Sequence, residues 1–107
     1  MSSWLILFLA ILSEVFGTTA LKASDGFTKL IPTLGVVFGY GIAFVLLSVA
    51  VKTIPLGTAY AVWSGIGTVG AVVVGMLMFH EKLGVAQIAG VALIVLGTII
   101  LKFTHEA

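Results

Sequence analysis

Apolar residues run along this chain in four long stretches, and the polar positions between them are few and clustered. The first stretch, Trp4 to Leu21, reads WLILFLAILSEVFGTTAL and is interrupted near its middle by a single carboxylate, Glu14. As a helix rising 1.5 Å per residue it covers roughly 27 Å, close to the hydrocarbon thickness of about 30 Å that a bilayer presents. Lys22 to Lys29 then breaks the pattern with the turn residues Ser24, Asp25 and Gly26. Pro32 suits the opening turn of a second helix, whose apolar run extends from about Thr33 to Val51. Lys52 to Pro55 forms a second short break, followed by a third run from about Leu56 to Phe79. His80-Glu81-Lys82 separates this from a fourth, from about Val85 to Leu101. The pattern predicts an all-α membrane protein, a single four-helix transmembrane domain over residues 1–107 with short loops.

Composition supports that reading. Of 107 residues 61% are hydrophobic and 8% charged, where a globular chain has roughly 25% charged. Every Asp, Glu and Lys other than Glu14 lies in or beside a break. The absence of cysteine removes disulfides, thiolate metal sites and cysteine nucleophiles. Glu14 within the apolar run argues against a cleaved signal peptide, so the first span is expected to be retained. A net charge of +1 without a basic run offers nothing to nucleic acid. With four spans both termini fall on one side, together with Lys52 and Lys102, while Lys22, Lys29 and Lys82 fall on the other. Such an even distribution gives almost no positive-inside bias and is compatible with insertion in both orientations and pairing of opposed copies.

The chemistry centres on Glu14. An acidic group at mid-membrane costs about 2.5–3.5 kcal/mol even on lenient insertion scales, and such residues usually carry function. Ala10, Gly17 and Thr18 lie three or four positions away and share its helix face. No Lys or His sits within another span, and Lys22 is about 12 Å along the axis. A carboxyl group without a cationic partner in lipid can hold a proton, or a cation in the proton's place. The bland alternative is a neutral, hydrogen-bonded Glu that only joins helices.

Trp63 and Tyr60 share a face at i, i+3, and Trp63 lies deep for an interfacial residue. An aromatic face beside a carboxylate suits a lipophilic cation, since a desolvated cation–π contact is worth about 2 kcal/mol. Tyr40, Ala43, Phe44 and Leu47 form a face of the second span, and Gly35 and Gly39 form a GxxxG pair suited to close helix contact. Gly65-Ile66-Gly67 is expected to be a bend or hinge. Gly90 and Gly97 sit seven residues apart on one face of a fourth span otherwise poor in polar groups, which reads as an assembly surface. No phosphate loop, nucleophile–base pair or metal spacing is present, so neither enzyme, cofactor nor metal site is expected.

The residues Glu14-Val15-Phe16-Gly17-Thr18-Thr19-Ala20-Leu21-Lys22, Gly26-Phe27, Pro32 and Tyr40 form one part of a recognisable pattern. Pro55 to Gly67 (PLGTAYAVWSGIG), Glu81 and the Gly90–Gly97 pair complete it. Over nearly its whole length the chain resembles the small multidrug resistance family. Guanidinium exporters of that family typically carry a Trp just after the Glu and a hydroxyl residue in the second helix. Here Phe16-Gly17-Thr18 follows the Glu, Ala43 stands where Ser is frequent, and Trp4 stands where Tyr is common. The chain is more similar to the drug and quaternary ammonium branch. Ala43 leaves Glu14 without the expected support from the second helix.

The resemblance implies an antiparallel, dual-topology homodimer in the bacterial inner membrane, exporting lipophilic and quaternary ammonium cations against protons by alternating access. Its proton- and substrate-binding residues would be Glu14, Trp63, Tyr60, Tyr40, Thr18, Gly17, Ala10 and Phe44. Gly65 and Gly67 would form the hinge, and Gly90 and Gly97 the dimer interface. Export of guanidinium or a small metabolite cation is the alternative within the family. A non-transporting assembly or lipid-handling subunit is the alternative outside it.

Overall fold

The computed structural model describes residues 2–104, and among these four α-helices follow one another: α1 Ser3–Ala23, α2 Leu30–Ala50, α3 Leu56–Met78 and α4 Val85–Thr104. All four are long and apolar enough to cross a membrane. At 21 residues α1 and α2 are each about 31 Å long, the thickness of a bilayer core. Three helices overrun the apolar stretches that announce them. α1 gains a residue at its start and two at its end, α2 begins three residues ahead of Thr33, and α4 continues through Lys102 to Thr104. The cause is the backbone, which must keep its hydrogen bonds near the membrane border whether or not the side chain is charged. Pro32 falls in the first turn of α2, where its missing N–H sacrifices no intrahelical bond. At the other end of the chain's first helix, the Ser2 hydroxyl caps α1 by accepting from the Trp4 N–H.

The chain divides into two compact units, one through Ile54 and one from Pro55. In the first, α1 and α2 cross with their backbones in contact. A Cβ on Gly39 would stand 2.7 Å from Gly17 Cα and 2.9 Å from Gly17 N, and a Cβ on Gly35 would meet Ala20 Cβ at 3.1 Å. Both members of the GxxxG pair are therefore spent on α1. The Ser13 hydroxyl donates to the Gly39 carbonyl at 2.8 Å across the same crossing. The connecting turn runs through three successive residues with positive φ: Asp25 (50°), Gly26 (69°) and Phe27 (66°). Ser24 holds this turn from within: fully buried, its hydroxyl donates to the Leu21 carbonyl and accepts from the Phe27 N–H. At the open end of the hairpin the hydroxyls of Ser3 and Thr53 are hydrogen-bonded.

In the second unit, α3 and α4 are joined by residues 79–84, a connection short enough to make them antiparallel neighbours. They approach closely where Gly65 faces Thr98. A Cβ on Gly65 would overlap the Thr98 hydroxyl oxygen and come within 3.2 Å of Thr98 Cβ and 3.3 Å of Ile94 Cγ2. α3 is helical without interruption through Gly65, Ile66 and Gly67, and both glycines are buried. Beyond Met78 the chain folds back, so that the N–H groups of Phe79 and Glu81 both donate to the Gly75 carbonyl. At the start of α4 the Gln87 side chain accepts from the Gly84 N–H at 2.6 Å. Thr98 is the one buried residue among the described residues of α4.

Candidate functional site

The first unit gathers four of the residues singled out from the sequence around Glu14. Thr18, one turn further along α1, donates from its hydroxyl to Glu14 Oε2 at 2.5 Å. The Tyr40 hydroxyl lies 2.7 Å from the same Thr18 oxygen, reaching across from α2. Gly17 makes room for this: a Cβ there would meet the Tyr40 backbone N at 3.3 Å and its ring at 3.4 Å. Ala10, one turn before Glu14, is fully buried. The support from α2 that Ala43 lacks is thus supplied by Tyr40, one turn earlier, through Thr18. Ala43 itself is fully buried.

Thr18 has one hydroxyl proton and two acceptor directions. With Glu14 ionised, Thr18 gives its proton to the carboxylate and Tyr40 donates to Thr18. With a proton on the other carboxyl oxygen, Oε1, Glu14 Oε2 still accepts from Thr18 and the bond from Tyr40 to Thr18 is unchanged. The hydrogen bonds that hold Oε2 are therefore the same in either state. A second feature follows from what is left over. Glu14 Oε1 has no hydrogen-bond partner among the described residues, and Glu14 forms no ion pair there. Nor is that oxygen sealed away, because no side-chain oxygen or nitrogen is both buried and unpartnered among them. One oxygen of the carboxyl group is anchored and the other is open to a proton or a cation.

The remaining expected residues divide. Phe44 lies on α2 one turn beyond Tyr40 and is 60% exposed, so the Tyr40-Ala43-Phe44-Leu47 face does not turn inward as a unit. In the second unit Trp63 is buried and Tyr60, one turn earlier on α3, is 65% exposed. Gly65 serves as the seat for Thr98, a packing role that its reading as a bend did not include. Gly90 is half-buried and Gly97 exposed, and a Cβ on either would meet nothing within 4 Å. Ser13 went unremarked in the sequence, although a hydroxyl one position before the membrane carboxylate was a visible signal. Among the described residues no group of three His, Asp or Glu could hold a metal ion.

Comparison with known proteins gives a consistent picture. Residues 2–94 match the family described as Small Multidrug Resistance protein. The chain is 48% identical over 107 residues to the quaternary ammonium compound-resistance protein QacE of Escherichia coli, covering all of this chain and 97% of that protein. It is 46% identical over 106 residues to the quaternary ammonium compound-resistance protein QacF of Klebsiella aerogenes, covering 99% and 96%. To the multidrug resistance protein EbrB of Bacillus subtilis it is 46% identical over 102 residues, covering 95% and 87%.

Proposed function

The chain belongs to the small multidrug resistance family of multi-pass inner-membrane transporters, and from that premise we propose that it is a proton-coupled antiporter exporting lipophilic and quaternary ammonium cations. Relatives of nearly the same length carry quaternary ammonium or multidrug resistance in their names, which supports the substrate class. The observation that carries the mechanism is the half-anchored carboxyl group of Glu14. Thr18 and Tyr40 fix one oxygen in place, and the open oxygen takes a proton or a cation, each excluding the other.

In this reading the functional unit is an antiparallel homodimer of dual topology, the fourth helices pairing through Gly90 and Gly97. Trp63 and Tyr60 supply aromatic faces for the cation, a contact worth about 2 kcal/mol where water is excluded. Ala10 and Gly17 keep the helix face near Glu14 small, and Phe44 lines the route for apolar substituents. The segment around Gly65 and Gly67 absorbs the change between inward- and outward-open forms.

The test is transport by purified protein in liposomes under an imposed proton gradient. A bulky quaternary ammonium ion and guanidinium are compared side by side, with Glu14→Gln as control. Gradient-driven uptake of the bulky cation is expected from the native chain and none from Glu14→Gln. Uphill transport by the Gln variant would sink the mechanism, and a preference for guanidinium would move the substrate to the other branch of the family.

A further inference from the structure

The seam between α3 and α4 has two sides. Gly65 and Thr98 form its floor, and Gly97 lies on one flank with Ile94 and Leu101. The other flank is a groove of about 210 Å³, several times the roughly 30 Å³ share of a liquid water molecule. Val62, Ile66 and Val69 of α3 and Val95 and Ile99 of α4 line this groove, which ends at Lys102. Because the two helices are antiparallel, Lys102 and Val62 occupy its shallow end and Val95 and Val69 its deep end. The apolar part is about 10 Å long, one helical rise for each residue from Val95 to Lys102. Lys102 stands in the last turn of α4, with its ammonium 4.7 Å from the Phe103 ring centroid.

We propose that this groove binds an anionic phospholipid, with an acyl chain along Val62, Ile66 and Val69 and the phosphate against Lys102. The polarity gradient selects the occupant. A cation at the mouth and hydrocarbon below match an anionic amphiphile laid in the direction that bilayer lipids already take, and basic pockets between membrane helices are known to hold such headgroups. A second copy of the chain would have to cover an ammonium group with apolar surface, at a desolvation cost that lipid avoids. The dimer face expected at Gly90 and Gly97 does not compete, since Gly97 belongs to the opposite flank. The inference does not depend on what Glu14 transports.

The experiment is native mass spectrometry of the full-length protein released from membranes of phosphatidylcholine and phosphatidylglycerol in equal parts. The native chain should retain phosphatidylglycerol in preference to phosphatidylcholine, one molecule per copy. Lys102→Gln should lower that preference about fivefold, the effect of one lysine near a charged headgroup. Lys102→Arg should preserve it, as should Lys52→Gln, a lysine outside the groove. Ile99→Trp, which fills the apolar part, should remove the retained lipid without changing the ratio of monomer to dimer. Equal retention of both lipids, or an equal loss on Lys52→Gln, would overturn the proposal. So would an Ile99→Trp variant that dissociates the dimer while keeping its lipid, which would assign the groove to a second copy.

Discussion

Replacing Gly39 by alanine adds one methyl group at the point where α1 and α2 touch, and its consequence can be worked through from distances. The new Cβ would stand 2.7 Å from Gly17 Cα, 2.9 Å from Gly17 N and 3.1 Å from the Ser13 carbonyl oxygen. All three are backbone atoms, so no side chain can rotate out of the way. Reaching an ordinary contact distance of about 3.5–4.0 Å requires the helices to part by about 1 Å. Overpacking of this kind costs about 1–3 kcal/mol, and a backbone-on-backbone clash belongs near the upper end. Parting the helices also strains the 2.8 Å bond from Ser13 to the Gly39 carbonyl, worth about 1 kcal/mol. A total of about 3 kcal/mol lowers the folded fraction's equilibrium constant roughly a hundredfold. Tyr40 is the next residue and moves with α2, so its 2.7 Å contact to Thr18 lengthens and the Glu14 chain loses its end. Gly41 is the control, because a Cβ there meets nothing within 4 Å. Equilibrium unfolding in detergent and cation uptake in liposomes should both be measured. Gly39→Ala should lose stability and uptake together, while Gly41→Ala should stay within about 0.5 kcal/mol of the native chain. If Gly39→Ala matches Gly41→Ala in both assays, the reasoning from contact between backbones is wrong.

Three further outcomes are expected. Thr18→Val keeps the shape but removes the hydroxyl between Glu14 and Tyr40; a hydrogen bond to a charged group contributes about 1.5–3 kcal/mol, so cation affinity should fall at least about tenfold by equilibrium binding, with Thr18→Ser close to native. Gly65→Ala should destabilise the α3–α4 pair by about 1–3 kcal/mol, and Thr98→Ala in the same chain should recover much of the loss, a coupling that a double-mutant cycle reads directly. Phe27→Gly keeps the left-handed backbone but relieves its cost to a residue with a Cβ, about 1–2 kcal/mol, and should raise the thermal midpoint; a lower midpoint would show that the exposed ring stabilises the turn.

The helices were legible because lipid imposes one rule, continuous apolar length, and four stretches obey it. Their ends were not, since the boundary between helix and loop is set by backbone hydrogen bonding, while hydropathy stops at the first charge; Lys102 inside α4 is the clearest instance. The close approach through Gly35 and Gly39 could be read from spacing. The role of Gly65 could only be half read, because its partner Thr98 lies 33 residues away in sequence and nothing local marks it. At the site, the i, i+4 spacing placed Thr18 beside Glu14, but the arrival of the Tyr40 hydroxyl on the same oxygen depends on how two helices cross. That crossing also decides that Tyr40 turns toward α1 while Phe44, four residues on, is left exposed. In the turn, Asp25 and Gly26 announced themselves, whereas an aromatic residue with positive φ at position 27 contradicts local preference and is held by Ser24.

The order of residues in the Glu14 chain has a consequence for biosynthesis. A lone carboxylate is the chief obstacle to inserting α1, and its first partner, Thr18, is on α1 itself, four residues later. The donor is therefore in place when the nascent helix leaves the ribosome, before any neighbour exists. Tyr40 arrives with the next helix, and by the time Pro55 is added every group of that chain has been synthesised. The most expensive group in the protein never has to wait in the membrane for the second half of the polypeptide to be made.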